Sequence, residues 1–140
     1  MKTESNYSPS GATGEIMLLF RGTDWHKNMS PEEMQAAAGK FMAWFERLKA
    51  EGKAKAGQPL QNVGRVLSKN GRTISDGPYA ESKEAIGGYF ILNVSDLDEA
   101  VEIARQCPGL DQGMKVEVRP LAQRCPMAEH AEAALATAMA

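Results

Sequence analysis

Cysteine and histidine are scarce in this chain, with two of each in 140 residues. Cys107 and Cys125 each precede a proline and form no C-x-x-C pair, so they make neither a disulfide framework nor a zinc knuckle. A single bridge between them stays open, and free thiols in a reducing cytoplasm are the simpler reading. There is no H-E-x-x-H motif and no third histidine, so no histidine-based metal site is expected. The eight methionines form no periodic cluster of the kind that ligates copper or haem, and no cofactor is expected. Long apolar runs are also missing. No stretch approaches the roughly 18 residues of a membrane span. Residues 1–14 are polar and lack the apolar segment of a secretory signal. The expected location is therefore cytoplasmic, with no membrane partner. Nor is there an excess of positive charge. Sixteen Lys and Arg stand against 18 Asp and Glu, a net charge of -2, so nucleic acid is not an expected partner.

What remains is a chain 43% hydrophobic, of a length that forms one ordinary domain with its own core. Residues 1–14 read as a disordered leader and residues 122–140 as an Ala-rich helical tail, with one domain over 15–121 between them. The apolar run 16–20 fits a strand buried on both faces. Ser30, Pro31 and Glu33 together make a capping box with proline at the first helical position. Met34, Ala37, Phe41, Phe45 and Leu48 then recur at helical spacing, and Gly52 supplies a left-handed stop. Asn70-Gly71 between runs 63–69 and 72–75 predicts a β-hairpin, because both turn residues accept positive φ. Residues 88–94 are aromatic and aliphatic enough for a central strand. Ser95 with Asp98 repeats the cap pattern before a helix carrying Leu97, Ala100, Val101 and Ala104. In the last strand Met114, Val116 and Val118 alternate with Lys115, Glu117 and Arg119.

The order strand, helix, hairpin, strand, helix, strand is read as an α+β ferredoxin-like β-α-β-β-α-β arrangement with an inserted hairpin. Two helices cover one face of such a sheet. Strands that are apolar on both sides need a second layer, and a second copy of the chain is the economical one. A homodimer paired through its sheets is therefore expected.

Chemistry-bearing residues concentrate between the hairpin and the central strand. Asp76, Tyr79, Glu81, Lys83 and Glu84 fall within nine residues, and Gly77-Pro78 would fix the direction of the Asp76 carboxylate. A fixed carboxylate beside a phenol and an ammonium can act as base, acid and charge stabiliser. The alternative is a solvated loop in which Asp76 caps its own turn. His26, beside Trp25 and Asp24, is either an acid/base near neutral pH or a surface residue. His130 reads as an exposed residue of the tail. Candidate catalytic residues are therefore Asp76, His26 and Tyr79. Arg119, Lys40, Lys83 and Arg21 are candidates for binding a small anionic metabolite. Arg119 and Lys115 would line a pocket with Glu117 if their face meets a partner, and would form a protective edge pattern if it meets water. Gly87-Gly88 lacks phosphate-loop spacing and suits a close backbone approach.

The segment Asp76-Gly77-Pro78-Tyr79-Ala80-Glu81-Ser82-Lys83-Glu84 with Gly87-Gly88-Tyr89 resembles the signature of the YCII-related family, in its DGPF branch, with Tyr79 in the phenylalanine position. The resemblance continues through residues 94–100 and 116–120, and upstream through 17–19 and 30–34. It implies a ferredoxin-like fold paired into a dimeric α+β barrel. Short members of the family carry a His–Asp pair with the histidine on the first helix. The corresponding position here is Lys40, while Asp76 matches the acid. Members of the DGPF branch also resemble modules associated with sigma factors. Two functions follow as expectations. One is a cofactor-independent lyase, isomerase or hydrolase that uses Asp76 in a barrel pocket. The other is a non-catalytic dimeric binding or regulatory module in transcriptional or stress signalling.

Overall fold

The computed structural model describes residues 12–22, 26–77 and 85–139. Strand β1, Ala12–Arg21, begins inside the stretch read as leader. Gly14 explains the difference: its φ of 88° accompanies a register slip against the last strand between Ala12 and Ile16, so a bulge carries the strand further upstream. Helix α1, Pro31–Ala50, starts as its sequence dictates. The Ser30 hydroxyl accepts from the Glu33 N–H, and the Glu33 carboxylate accepts from the Ser30 N–H, both at 3.1 Å. It ends before Gly52, whose φ is 73°.

Strand β2, Ala54–Pro59, follows directly. No apolar alternation announces it, because its pairing with the next core strand is a main-chain matter and it lies at the sheet edge, where Pro59 is tolerated. The hairpin comes next, as β3 (Gly64–Ser68) and β4 (Thr73–Gly77). Its turn is wider than a two-residue Asn-Gly turn: Lys69, Asn70 and Gly71 all have positive φ, and Ser68 pairs with Thr73. Asp76 therefore belongs to a strand and not to the loop. Strand β5, Ile86–Leu92, leads to α2, Leu97–Ala104, capped by Asp96 and not Ser95: the Asp98 N–H donates to the Asp96 carboxylate at 3.0 Å. A 3₁₀ turn, Pro108–Gln112, precedes β6 (Lys115–Ala122) and α3 (Pro126–Met139).

The main sheet has the order β2-β5-β1-β6, antiparallel throughout, and β3–β4 forms a separate two-stranded sheet. This is the ferredoxin-like α+β fold with an inserted hairpin. Ile16, Leu18, Phe20, Phe90 and Leu92 point from the sheet toward Trp44 and Leu48 of α1 and Ala100, Ile103 and Ala104 of α2. The register fixes the other face. Leu19 stands between Tyr89 and Glu117, and Met17 stands between Ile91 and Arg119. These side chains have no helix over them, and the alternation expected for β6 holds. Among the described residues, neither the hairpin nor α3 packs extensively on another element, and α3 buries no residue. No described helix is long and apolar enough to cross a membrane.

Candidate functional site

The helix-covered face of the sheet encloses a cavity of about 620 Å³ where α1 crosses β2 and β5. Its walls are aromatic because the inward positions of three elements are phenylalanines. Phe20 of β1 and Phe90 of β5 lie 4.8 Å apart between ring centroids, Phe41 of α1 is 5.0 Å from Phe20, and Phe45 is 4.6 Å from Phe90. Such edge-on and tilted contacts give a stiff wall rather than a fluid one. Phe45 also carries the Lys49 ammonium over its ring at 5.4 Å.

Backbone approach completes the enclosure. A Cβ on Gly57 would lie 2.7 Å from Phe90 Cδ1 and 3.0 Å from Phe45 Cε1, so β2 can run against these rings only without a side chain there. A Cβ on Gly88 would meet the Gln58 carbonyl oxygen at 3.1 Å, the close backbone approach that Gly87-Gly88 suggested. Pro108, Gly109 and Met114 close one side. Met42 (62% exposed) and Leu60 (49% exposed) also line the cavity, so part of its apolar lining reaches the surface. The polar residues on the lining include His26, Glu46, Gln58 and Asn62, and Gln58, opposite Tyr89 in the register, has its side chain on the helix-free face.

The residues singled out from sequence go to different places. His26 lines the cavity, in the turn before α1, where its carbonyl accepts from the Met29 N–H at 3.1 Å. Asp76 does not line it. Its side chain is 91% exposed on β4 and pairs with Arg65 across the hairpin at 3.1 Å. Arg21 and Arg119 lie on the helix-free face, where both meet Glu117. The Arg21 Nε donates to Glu117 Oε1 at 2.9 Å, a second Arg21 nitrogen bonds the same oxygen, and the Arg119 Nε lies 3.5 Å from Oε2. Lys40 is exposed on α1 and lines a separate hollow of about 260 Å³ together with Glu33 and Asp111. Tyr79 and Lys83 lie outside the described residues, as do Asp24 and Trp25. Sequence reasoning did not single out Glu46, Gln58 or Asn62. Glu46 follows Phe45 on the amphipathic helix, which is the one local signal. Gln58 and Asn62 belong to a stretch with no strand pattern.

Titration follows local contacts. The Ser30 backbone N–H, and then its side chain, hold the Glu33 carboxyl below the ordinary 4.5. The Glu99 carboxylate, 2.6 Å from Lys53 Nζ, raises that ammonium above 10.5 by hydrogen bonding and then by charge. Burial pushes the Cys107 thiol up, against weaker lowering by the Gly109 and Leu110 backbone. Both cysteines are free thiols.

Comparison with known proteins places this architecture. A curated relative, an uncharacterized protein of Rhizobium meliloti, is 43% identical over 50 residues, or 35% of this chain. The match spans 40% of that relative's length. Among solved structures, the 5-chloro-2-hydroxyhydroquinone dehydrochlorinase of Burkholderia phenoliruptrix, in complex with 2,5-dihydroxybenzoquinone, aligns with 79% of this chain and 95% of its own. Its sequence identity is 17% and its TM-score 0.42. The family model of the YCII-related domain matches residues 17–122, from the middle of β1 to the end of β6, and the chain belongs to the YCII-related family.

Proposed function

We propose that this protein is a small-molecule enzyme whose cavity under α1 takes a compact, largely apolar, ring-bearing substrate, with His26 moving a proton at the lining. The observation that carries this reading is the cavity itself. About 620 Å³ is within the size range of small-ligand pockets, and four phenylalanines with few polar groups are the usual lining of such a site. Phe20, Phe41, Phe45 and Phe90 offer ring edges and faces for a flat apolar body. Glu46 and Asn62 can orient polar substituents, and an imidazole suits proton transfer near neutral pH. Asp76, the acid that sequence favoured, is exposed on the hairpin and ion-paired to Arg65, so this reading assigns it no chemical step. In this reading the cations Arg21, Arg119 and Lys40, all outside the cavity lining, do not bind the substrate. The working unit is a homodimer paired through Met17, Leu19, Tyr89 and Ile91 of the helix-free face, and the free thiols suit the cytoplasm.

One observation favours the second reading, a binding module without turnover: the described lining is dominated by aromatic, aliphatic and glycine residues and brings few ionisable side chains together. A thermal-shift screen of small cyclic compounds tests both. A compound that fits raises the midpoint by mass action, and Ala38→Trp, which fills the cavity, removes the rise. The stabilising compound is then followed by mass spectrometry. The enzyme reading expects conversion by the wild type, and retained binding without conversion by His26→Ala. Binding with no conversion by the wild type selects the module. Binding unaffected by Ala38→Trp removes the cavity from the argument altogether.

A further inference from the structure

The charge on the cavity lining is one-sided. Among the described lining residues there is one carboxylate, Glu46, and no Lys or Arg. Glu46 stands on α1 one turn beyond Met42, and both are exposed, which puts the carboxylate at the mouth of the cavity. Among the described residues no hydrogen bond or ion pair engages it. The helix cations nearest to it in sequence are engaged elsewhere. Arg47 lies 3.9 Å from Glu51 and donates to Gln106 at 3.0 Å, and Lys49 turns to the Phe45 ring. A carboxylate left free beside a low-dielectric wall draws cations to the opening and repels anions.

The rings add attraction of the same sign. The face of a benzene ring is its negative side, and a cation within about 6 Å of the centroid is drawn to it. Phe45 already makes such a contact: Lys49, which is not on the lining, holds its ammonium 5.4 Å from the centroid of that ring. Phe20 and Phe90 are 3% and 6% exposed and form the floor, while Phe41 and Phe45 are half-buried on α1 above it. Phe41 is steep to both floor rings, at 75° to Phe20 and 69° to Phe90. A planar body lying on Phe90 cannot also stack on Phe41. A rounded substituent beside that body can meet the wall ring from any side.

Desolvation decides where a cation would rest. Deep in an apolar cavity an ammonium loses its water and finds no partner. At the mouth it keeps part of its hydration and gains ring faces together with a carboxylate. We propose that the ligand of this cavity is an organic ammonium, primary or quaternary. Its apolar ring lies on the floor, and its cationic group stays at the mouth among Phe41, Phe45 and the Glu46 carboxylate. This charge is opposite to that of the anionic metabolite expected from the sequence. The inference rests on the reading of the cavity as a binding site and adds the charge of what binds there.

Four small probes sharing one ring test it: benzyltrimethylammonium, benzylammonium, benzyl alcohol and benzoate. Their dissociation constants are measured by calorimetry at about pH 8, above the usual titration of imidazole. Both ammonium compounds are expected to bind on the order of tenfold more tightly than benzyl alcohol, the joint effect of a cation–π contact and an ion pair at the rim. Benzoate is expected to bind more weakly than the alcohol. Glu46→Gln, which keeps the shape and removes the charge, should reduce the preference for the cations without abolishing it. Benzoate bound as tightly as benzylammonium overturns the proposal, as does a preference indifferent to Glu46→Gln or a failure of all four probes to bind. Two outcomes separate this inference from the reading beneath it. Benzyl alcohol binding that Ala38→Trp abolishes, with no preference for the cations, overturns the charge assignment and leaves the cavity reading standing. Ammonium binding that survives Ala38→Trp overturns both.

Discussion

Replacing Gly57 by alanine is expected to destabilise the protein, and replacing Gly39 by alanine to stabilise it. Both substitutions remove backbone freedom from the unfolded chain, a gain of about 0.4–1 kcal/mol where the native conformation accepts a side chain. Gly39 lies in the middle of α1, at an ordinary helical φ, with nothing within 4 Å of the place a Cβ would occupy. Alanine there should contribute the full difference in helix propensity, about 0.5–1 kcal/mol. At Gly57 the same methyl falls 2.7 Å from Phe90 Cδ1, 3.0 Å from Phe45 Cε1 and 3.1 Å from the Tyr89 carbonyl oxygen. Phe90 cannot give way easily: it is buried and touches the rings of Phe20, Phe41, Trp44 and Phe45. Overpacking of this kind costs about 1–3 kcal/mol. After the gain in the unfolded state is taken off, the net destabilisation is about 0.5–2 kcal/mol. Urea unfolding reads both signs directly, since a change in midpoint at constant slope is a change in stability. A Gly57→Ala protein as stable as the wild type would mean that β2 does not press on the aromatic wall, and the cavity described here would lose one side.

Two further predictions concern titration and thiol reactivity. Ser30→Ala should cost about 1 kcal/mol near pH 7 by removing the cap. Because the folded-state pKa of Glu33 is depressed, chiefly by the Ser30 backbone N–H, the contribution of the Glu33 carboxylate is fully present above the unfolded value of 4.5 and is lost as pH falls through the lower folded value. The wild-type and Glu33→Gln urea midpoints should therefore converge in acid, while the gap opened by Ser30→Ala, which removes a hydroxyl that accepts from a backbone N–H, should persist; a Glu33→Gln gap unchanged below that window would refute the assignment. Alkylation at neutral pH should label Cys125 quickly and Cys107 only through unfolding, since Cys107 is buried and its thiol pKa is raised. Mass spectrometry that finds both modified at similar rates would contradict the burial of Cys107, whose Sγ lies 3.9 Å from Met114 Sδ.

The elements that could be read from sequence are those whose signal is local. Ser30, Pro31 and Glu33 specify the start of α1 through bonds within four residues, and the structure has all of them. Asn70-Gly71 marks the hairpin, although Lys69 also turns left-handed and the loop widens by two residues. The alternation of β6 assigns its faces correctly. Strand β2 was invisible because hydrogen bonds to β5, and not a pattern of side chains, make it a strand. Asp76 stood out because it sits in a dense polar motif, but a motif does not say which way a strand turns its carboxylate. The cavity was illegible for another reason. Phe20, Phe41, Gly57 and Phe90 come from four elements, and each alone reads as core or as an unremarkable glycine.

One strand decides which chemistry can meet which. Along β1 the side chains alternate between Ile16, Leu18 and Phe20 on the helix side and Met17, Leu19 and Arg21 on the open side. A slip of one residue would put Arg21 in the place of Phe20, a charge against the rings of Phe41 and Phe90 and away from its Glu117 partner. Two irregularities hold the register: the bulge at Gly14, and the shift in pairing with β5 between Phe20 and Arg21. The second lies beside the cavity, where the Gly22 N–H donates to the Ala85 carbonyl at 2.8 Å and both Phe20 and Gly22 form part of the wall. Bulges re-aim side chains beside sites. This one lets Phe20 complete the aromatic wall while its neighbour Arg21 turns to Glu117. The sheet thereby keeps the ionic cluster on one side and the apolar cavity on the other. The cavity under α1 offers rings and an imidazole, whereas the open face offers arginines already engaged by Glu117.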